Sequence, residues 1–541
     1  MADRIDTSTI AAAERLFGIR YTDAERAQML GNIDAQVAAA VRRRAVALEN
    51  ALPPATLFDP RLPGFAMPAQ APMNVPLGEA PLPAREEDIA FAPVHRLAGW
   101  IRQGALSSAR LTEIYLARIA RLNPRLFCFA TVTAEHARAQ AAQADALLAR
   151  GTWLGPLHGI PYAVKDLVDT AGIVTGWGAE PFMGRVPEAD GAVVRRLAQA
   201  GAVLLGKASL GAMAFGDIWY GGTTRNPWNT EEGSRGSSAG SSSATGAGLC
   251  AFAIGSETLG SIVIPAARCG VAGLRPTFGR VSRAGAMALC WSLDKLGPLA
   301  RSVADTALVL AAINGGDAAD EASIAAPFGW DAARGVEGMR VGFVPGDFND
   351  PLDAAAIEAV RAAGALPVPV SLPDLPYDAL QNLLFAEAAA AFEDLTLTDA
   401  DDRLARQDSG AWPNTFRKAR FLSAVDHLQL DRLRRRVMQA MDALFREVDT
   451  LLSPLAAGPL TIIGNMTGHP ALALRVGFAH TRTRRMPAYL NAPVVEAEGP
   501  VHRVPHAISI LSPLFDEAAA LSLGHALERT MGVAEERPNL S

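Results

Sequence analysis

Short apolar runs, each bounded by turn residues, recur along the chain from about residue 91 onward. The runs GIPYAVKD and AVLLGK predict two buried strands, and the spacing of apolar residues in DGAVVRRLAQAG predicts a helix between them, begun by Asp190 and closed by Gly201. Apolar strands that alternate with helices are typical of a parallel sheet covered on both sides. We therefore predict one large α/β domain over residues 91–541, with a central mixed, mostly parallel sheet and helices on both faces.

Further elements of this domain follow from the same patterns. SSARLTEIYLARIARLNP predicts a helix that ends before Pro124. Its apolar face carries Leu111, Tyr115, Ile119 and Leu122. Five more runs predict strands: LCAFAIG, MRVGFVP, DTLLSP, PALALRV and HAISIL. The region from about 315 to 450 is the least patterned, and we expect the variable, substrate-specific part of the domain there.

The first 90 residues have a different character. Residues 1–52 are predicted to be an N-terminal helical extension, because Thr22 and Glu25 form a T-x-x-E capping box and an alanine-rich run continues to Pro53. Residues 53–90 contain nine prolines, which predict an extended segment. Such a segment is either a free arm or a strap across the main body, and the sequence leaves both open.

Composition argues against several classes of protein. The 541 residues carry a net charge of −6 and no basic stripe with interleaved aromatic residues, so a nucleic acid is a poor candidate ligand. The four cysteines lack C-x-x-C spacing, which argues against a zinc site or a disulfide framework and suits a reducing compartment. The sequence contains neither a secretory signal nor an uncharged apolar run of about 18 residues. We expect a soluble cytoplasmic protein with no metal and no cofactor.

The stretch GSSAGSSSATGAG, residues 236–248, is the first candidate for chemistry. Composition alone favours a flexible linker, but the stretch runs directly into a predicted strand. Residues 236–240 fit the G-x-S-x-G elbow of α/β-hydrolases, which needs a preceding strand that the turn-rich RNPWNTEEGSR does not predict. A Ser-His-Asp esterase of that kind would also need His469, His502 or His506 as its base.

A serine can be activated without histidine if another group accepts its proton. A lysine can do so when burial keeps its amine neutral. Lys165 is a candidate on local grounds, because it stands at the end of the apolar run GIPYAVKD. The alternative is a strand-end lysine that reaches water or pairs with Asp166, and spacing alone favours that alternative.

Several blocks occur in one order: GPLHGIPYAVKDLVDTAG, GAVVRRLAQAGAVLLGKASL, TRNPWN, GSSAGSSSATGAG, GSETLGSIVIPAARCGVAGLRPTFGRVS and LDKLGPLARSVADTALVL. Together they resemble the amidase signature family, with a signature core at about 155–312. The resemblance implies a Ser–cis-Ser–Lys triad. In this triad Ser261 is the nucleophile, Ser237 follows a cis peptide bond and relays the proton, and Lys165 is the base.

The resemblance also implies an oxyanion hole at the nucleophile. Its donors would be the backbone N–H groups of Thr258, Leu259, Gly260 and Ser261. SIVIPAARCG is expected to begin a helix with Pro265 in its first turn, and the N-terminus of that helix would favour developing negative charge.

Three positions depart from the family pattern. Leu259 and Val263 replace a usual glycine and a usual arginine, and Arg268 stands where an aromatic residue is common. We expect Leu259 to narrow the acyl pocket, and we hypothesise that Arg268 pairs with Glu257 in place of the missing arginine. Since the triad positions are unaltered, an active enzyme is expected.

The family resemblance implies a hydrolase that cleaves the C–N bond of a linear carboxamide through an acyl-enzyme on Ser261. Anilides, esters or carbamates would react if they fit. One alternative is a glutaminase-type component of a tRNA-dependent amidotransferase, which the extension and the strap fit poorly; another is a non-catalytic scaffold.

Apolar residues around TRNPWN are the candidates for substrate contacts. They are Met213, Phe215, Trp219, Tyr220 and, earlier in the chain, Trp177. These side chains would suit an apolar or aromatic small-molecule amide, although packing within the fold explains each of them equally well. We expect no nucleic-acid or membrane partner, and the sequence is compatible with a homodimer.

Overall fold

A computed structural model describes residues 5–455, 457–485 and 495–540. Its strands are β1 Phe129–Val132, β2 Pro161–Lys165, β3 Val203–Ala208, β4 Ile218–Trp219, β5 Gly222–Thr223, β6 Arg225–Asn226, β7 Asn229–Gly233, β8 Phe252–Glu257, β9 Ala272–Arg275, β10 Lys295–Ala300, β11 Arg340–Phe343, β12 Leu366–Pro369, β13 Thr450–Pro454, β14 Ala471–Arg485 and β15 Val495–Leu511. All seven strands predicted from apolar runs are present, and β1, β9, β10 and β12 join them in one sheet.

The central sheet has eleven strands in the order β1-β3-β2-β8-β10-β9-β14-β15-β13-β11-β12. Parallel pairing joins β3, β2 and β8 on one side and β13, β11 and β12 on the other. The remaining neighbours are antiparallel. The prediction of a large α/β domain with a mixed central sheet is confirmed.

Helices cover the sheet and pack with it in one large hydrophobic core. They are α1 Thr7–Phe17, α2 Asp23–Met29, α3 Ile33–Arg44, α4 Glu86–Ala90, α5 Val94–Arg102, α6 Ser108–Leu126, α7 Ala134–Ala149, α8 Ala192–Gln199, α9 Ala239–Gly246, α10 Val263–Cys269, α11 Val303–Ile313, α12 Pro351–Ala362, α13 Gln381–Ala391, α14 Glu393–Leu397, α15 Trp412–Ala419, α16 Ala424–Glu447, α17 Leu460–Met466 and α18 Glu517–Met531. None of these described helices combines the length and the apolar character needed to cross a bilayer.

Two helix boundaries differ from the predictions. Helix α6 continues through Pro124, because a proline in the last turn removes only one ladder hydrogen bond. Helix α8 begins after Gly191, and the carboxylate of Asp190 accepts a hydrogen bond from the Ala171 amide (2.8 Å) instead of capping the helix.

The N-terminal extension consists of α1 to α3, and the capping box of Thr22 and Glu25 is present at α2. The predicted continuation of helix to Pro53 is wrong, since α3 ends at Arg44. No residue of α3 is buried, so no packing stabilises further turns.

The proline-rich segment lies across the main body as a strap. The Phe58 ring packs against Phe278 with 5.1 Å between centroids, and the amide of Asn74 donates to the Trp330 carbonyl (2.8 Å). Contacts with two distant parts of the domain distinguish this strap from a free arm.

Candidate active site

Lys165 lies at the carboxyl end of β2, where its parallel neighbours β3 and β8 also end. Its side chain is fully buried. The Nζ atom lies within hydrogen-bonding distance of the hydroxyl oxygens of Ser237 (2.8 Å), Ser238 (3.1 Å) and Ser256 (2.9 Å). The predicted lysine and the predicted relay serine are therefore in direct contact.

Burial holds the pKa of Lys165 well below its usual value, because a desolvated ammonium is disfavoured. The nearby carboxylates of Asp294 and Glu257 oppose this shift without cancelling it. Neither forms an ion pair with Lys165 in the described structure, and its hydrogen-bond partners are serine hydroxyls and the Ser256 carbonyl (3.3 Å). The alternatives of a solvated lysine and of a pair with Asp166 do not hold.

The segment before α9 places Ser237 and Ser238 against this lysine. The Gly236–Ser237 peptide bond is cis. Gly236 is pressed so closely against Gly216 that a Cβ atom at Gly236 would lie 1.8 Å from the Gly216 carbonyl oxygen, so only glycine fits. Ser238 donates through its hydroxyl to the Ser256 carbonyl (3.0 Å) and through its amide to the Ser261 carbonyl (3.1 Å). These bonds hold the serine-rich segment and the β8–α10 loop together.

Ser261 stands in the β8–α10 loop and is half-buried. Its hydroxyl forms no hydrogen bond with the residues that the structure describes. The backbone N–H groups of Thr258, Leu259, Gly260 and Ser261 likewise donate to no acceptor among residues 5–455, 457–485 and 495–540. Gly260 adopts a φ of 86°, which turns the chain within this loop. Four successive free N–H groups beside a serine can receive an oxyanion.

Glu257, the last residue of β8, fixes the position of the β8–α10 loop. Its Oε2 atom accepts hydrogen bonds from the amides of Ile262 (2.8 Å) and Val263 (3.0 Å). Its Oε1 atom accepts from Arg275 (2.6 Å) and from the side-chain amide of Asn465 (2.8 Å). Burial alone would raise the pKa of Glu257, but the charges of Arg275 and Lys295 and the hydrogen bonds from Arg275 and Asn465 favour the carboxylate and lower the pKa to about 2.

The predicted pair between Glu257 and Arg268 is wrong. Arg268, at the end of α10, pairs with Glu232 on β7 (2.9 Å), whereas Arg275 on β9 reaches Glu257. The partner of Glu257 therefore comes from β9, which β10 separates from β8 in the sheet. Arg275 stands in the run GLRPTFG, but nothing in its spacing predicts contact with Glu257.

Helix α10 begins at Val263 and carries Pro265 in its first turn, as predicted. One further expectation about this region is wrong, because a short strand, β7, does precede the serine-rich stretch. The turn-rich composition of that segment gives no strand signal, and in the sheets of the described residues β7 pairs with the two-residue strand β6.

The three candidate histidines have other partners. His469 is buried against the Thr467 hydroxyl (2.6 Å), and burial lowers the pKa of His469 to about 3. His506 contacts Asp353 (2.7 Å), and His502 approaches Glu231 (3.6 Å). None of them hydrogen-bonds a serine of residues 236–248 in the described structure, which removes the geometric basis for a Ser-His-Asp elbow.

Two cavities share Pro53 and Trp291 in their walls. The one lined by Ser256 of the lysine–serine cluster is called the inner cavity, and the other is called the outer cavity. The inner cavity of about 240 Å³ is lined by Ser256, Thr258, Ala214 and the segment from Arg283 to Leu289. The outer cavity of about 510 Å³ is lined by Trp177, Phe182 and the segment from Ala390 to Leu395.

The other predicted substrate residues lie elsewhere. Met213 is fully buried, and Phe215 and Trp219 line a separate small cavity with Trp412. Tyr220 packs edge-on against Trp219, with 4.9 Å between ring centroids.

One group of side chains in the described structure could hold a metal ion. The ligand atoms of Asp350, Asp353 and His506 lie within 4.8 Å of one another. Asp353 and His506 already bond each other. The group lies at the start of α12 and on β15, whereas the lysine–serine cluster is built from β2, β8 and the segment before α9.

The fold and the cluster define an α/β enzyme that combines serine hydroxyls with a buried lysine. Comparison with known proteins agrees: the family described as Amidase matches residues 110–478. The A component of glutamyl-tRNA(Gln) amidotransferase from Synechococcus sp. (strain WH7803) is 32% identical over 509 residues, covering 82% of this chain and 98% of that relative.

Solved structures with similar folds include the native peptide amidase from Stenotrophomonas maltophilia. It is 29% identical with a TM-score of 0.70, covering 83% of this chain and 99% of that chain. A chain of a vestigial protein complex that reveals the origins of an s-triazine catabolic enzyme is 30% identical, with a TM-score of 0.71 and coverage of 81% and 98%. The chain therefore belongs to the amidase signature family and is an enzyme that acts on carbon–nitrogen bonds, by hydrolysis or by amide transfer.

Proposed function

We propose that this protein hydrolyses linear carboxamides through an acyl-enzyme on Ser261. The observation that carries the proposal is the fully buried Lys165, whose Nζ atom lies 2.8 Å from the Ser237 hydroxyl. A neutral amine in this position can accept a proton from that hydroxyl, which a solvated ammonium cannot do.

In the proposed acylation step, the Ser261 oxygen attacks the carbonyl carbon of the amide. The Ser261 proton passes to the Ser237 oxygen while the Ser237 proton passes to Lys165, so that the lysine becomes an ammonium. The negative charge moves to the carbonyl oxygen, where the free N–H groups of the β8–α10 loop would stabilise it.

Collapse of the tetrahedral intermediate breaks the C–N bond. Lys165 returns a proton through Ser237 to the departing nitrogen, which leaves as a neutral amine or ammonia. Water then attacks the acyl-enzyme by the same proton route and releases the carboxylic acid. Apolar or aromatic amides are the proposed substrates, and anilides, esters and carbamates that fit the site would follow the same steps.

The second candidate is the amidotransferase function. It is supported by relatives at 32% and 34% identity, both of which are the A component of glutamyl-tRNA(Gln) amidotransferase. One observation argues against it. Ala51 and Pro53 line the cavity beside the lysine–serine cluster, so any additional protein chain or substrate that approached the cluster through this cavity would meet them. Hydrolysis of glutamine in preference to all other amides, or copurification with tRNA-binding proteins, would favour this candidate.

The test combines hydrolysis with active-site labelling. The purified protein is assayed on aryl anilides, primary amides including glutamine, esters and carbamates, and is labelled with a serine-reactive phosphonate. We expect the label on Ser261. We expect Lys165→Ala to lower kcat by at least about 10³-fold, as loss of an essential base does.

The matched controls are the histidine variants. His469→Ala and His506→Ala are expected to retain most of the activity. Labelling at Ser238, or loss of activity in a histidine variant that still folds, would contradict the proposal and revive the Ser-His-Asp alternative.

A further inference from the structure

Residues that follow α3 line both the inner and the outer cavity. After α3 ends, the chain passes between them. Ala51 and Pro53 line the inner cavity, and residues 46, 48–50 and 52–54 line the outer one. Pro53 and Trp291 line both cavities, so they form the partition between the two spaces.

Asn50 anchors this part of the chain through its side chain. Its amide nitrogen donates to the carbonyls of Ala288 (2.9 Å) and Ala391 (3.2 Å), and its amide oxygen accepts from the Ala288 backbone (2.8 Å). The Asn50 carbonyl also accepts from the Trp291 indole (3.1 Å). Ala288 belongs to the wall of the inner cavity and Ala391 to that of the outer one. One side chain therefore ties the extension to both cavity walls.

Polar contacts, rather than packing, hold residues 46–54 in place. Val46, Leu48 and Leu52 are 59%, 55% and 52% exposed. A second anchor lies at the end of α3, where Arg43 donates to both carboxylate oxygens of Glu393 (2.7 and 2.6 Å). A segment fixed by a few hydrogen bonds can be displaced without unfolding the domain.

The family match begins at residue 110, so the part of this partition that residues 46–54 supply lies outside the matched region, whereas Trp291 lies within it. We propose that residues 46–54, anchored by Asn50, form the wall that limits the size of the amide admitted from the outer to the inner cavity. The inference rests on the proposed function. Asn50 is a positioning residue, and Ala51 and Pro53 are specificity residues.

The experiment compares a small and a bulky member of one anilide series, such as an acetyl and a 4-phenylbutyryl anilide. The readout is the ratio of kcat/KM for the bulky substrate to kcat/KM for the small one. Asn50→Ala removes three hydrogen bonds of the anchor and is expected to raise this ratio about tenfold, with little change for the small anilide. Ala51→Trp, which adds bulk to the inner wall, is expected to lower the ratio.

Asn32→Ala is the matched control, because Asn32 lies in the same extension and does not cap α3 with its side chain. It should leave the ratio unchanged. Equal loss of activity on both anilides together with a lower Tm in Asn50→Ala would show a purely structural role and overturn the inference. An unchanged ratio in both Asn50→Ala and Ala51→Trp would overturn it as well.

Labelling separates this inference from the proposed function. Small and bulky phosphonates should label wild-type Ser261 at different rates, and Asn50→Ala should narrow that difference. If neither phosphonate labels the wild type and no anilide is cleaved, the proposed function has failed. If the wild type reacts normally and the variants keep its selectivity, only the size-limiting wall has failed.

Discussion

Glu257 connects the oxyanion loop to the core, and replacing it with glutamine tests that connection. All four of its hydrogen bonds have the carboxylate as acceptor: the amides of Ile262 and Val263 on one oxygen, and Arg275 and Asn465 on the other. A glutamine must turn an NH₂ group toward one of these two pairs of donors. In either orientation, two buried donors lose their acceptor.

The size of the effect follows from the surroundings of Glu257. The pKa of this fully buried carboxyl is lowered from 4.5 to about 2, a difference that corresponds to about 3 kcal/mol in favour of the charged form. Removing one partner of a buried ion pair lowers the free energy of unfolding by about 3–5 kcal/mol, because the remaining charge, here that of Arg275, stays uncompensated. We expect Glu257→Gln to lower the free energy of unfolding by about 3 kcal/mol.

Urea unfolding of the wild type and Glu257→Gln measures this difference, with exposed Glu231→Gln as the control. Since the folded pKa lies below the unfolded value, the stabilisation is complete above about pH 4.5 and is lost as the pH falls toward 2. The gap between wild type and variant should therefore narrow below pH 4.5. A variant as stable as the wild type at pH 7, with an unchanged rate of Ser261 labelling, would refute the role assigned to Glu257.

Two other predictions concern Lys165. Only the neutral amine can act as a base, and burial lowers its pKa. We therefore expect kcat/KM to fall as the pH drops through that lowered pKa and to reach its plateau well below pH 10.5. A kcat/KM that still rises up to pH 10.5 would contradict a buried base. Ser256→Ala removes one hydroxyl that lies 2.9 Å from the Lys165 Nζ atom. We expect this variant to have a kcat about tenfold lower and still to be labelled by the phosphonate. An unchanged kcat would show that Ser237 and Ser238 suffice to position the amine.

Part of the candidate site could be predicted from local sequence patterns. Lys165 and Ser256 lie on strands whose apolar runs predicted them, and their parallel pairing brings both residues to one edge of the sheet. The ordered blocks indicated the family from the sequence, and the family match over residues 110–478 confirms it.

The sequence alone determined the features whose signals are local: apolar strands, the capping box at Thr22, and the extended character of the proline-rich segment. That this segment lies across the domain as a strap was decided by the tertiary structure. Tertiary structure decided the contacts between residues far apart in the chain. Arg275, rather than Arg268, reaches Glu257, and Asn50 meets the backbone of Ala288 and Ala391. Such contacts depend on how strands and loops pack in three dimensions. They cannot be predicted from the sequence, because a contact between residues far apart in the chain produces no periodic pattern along it.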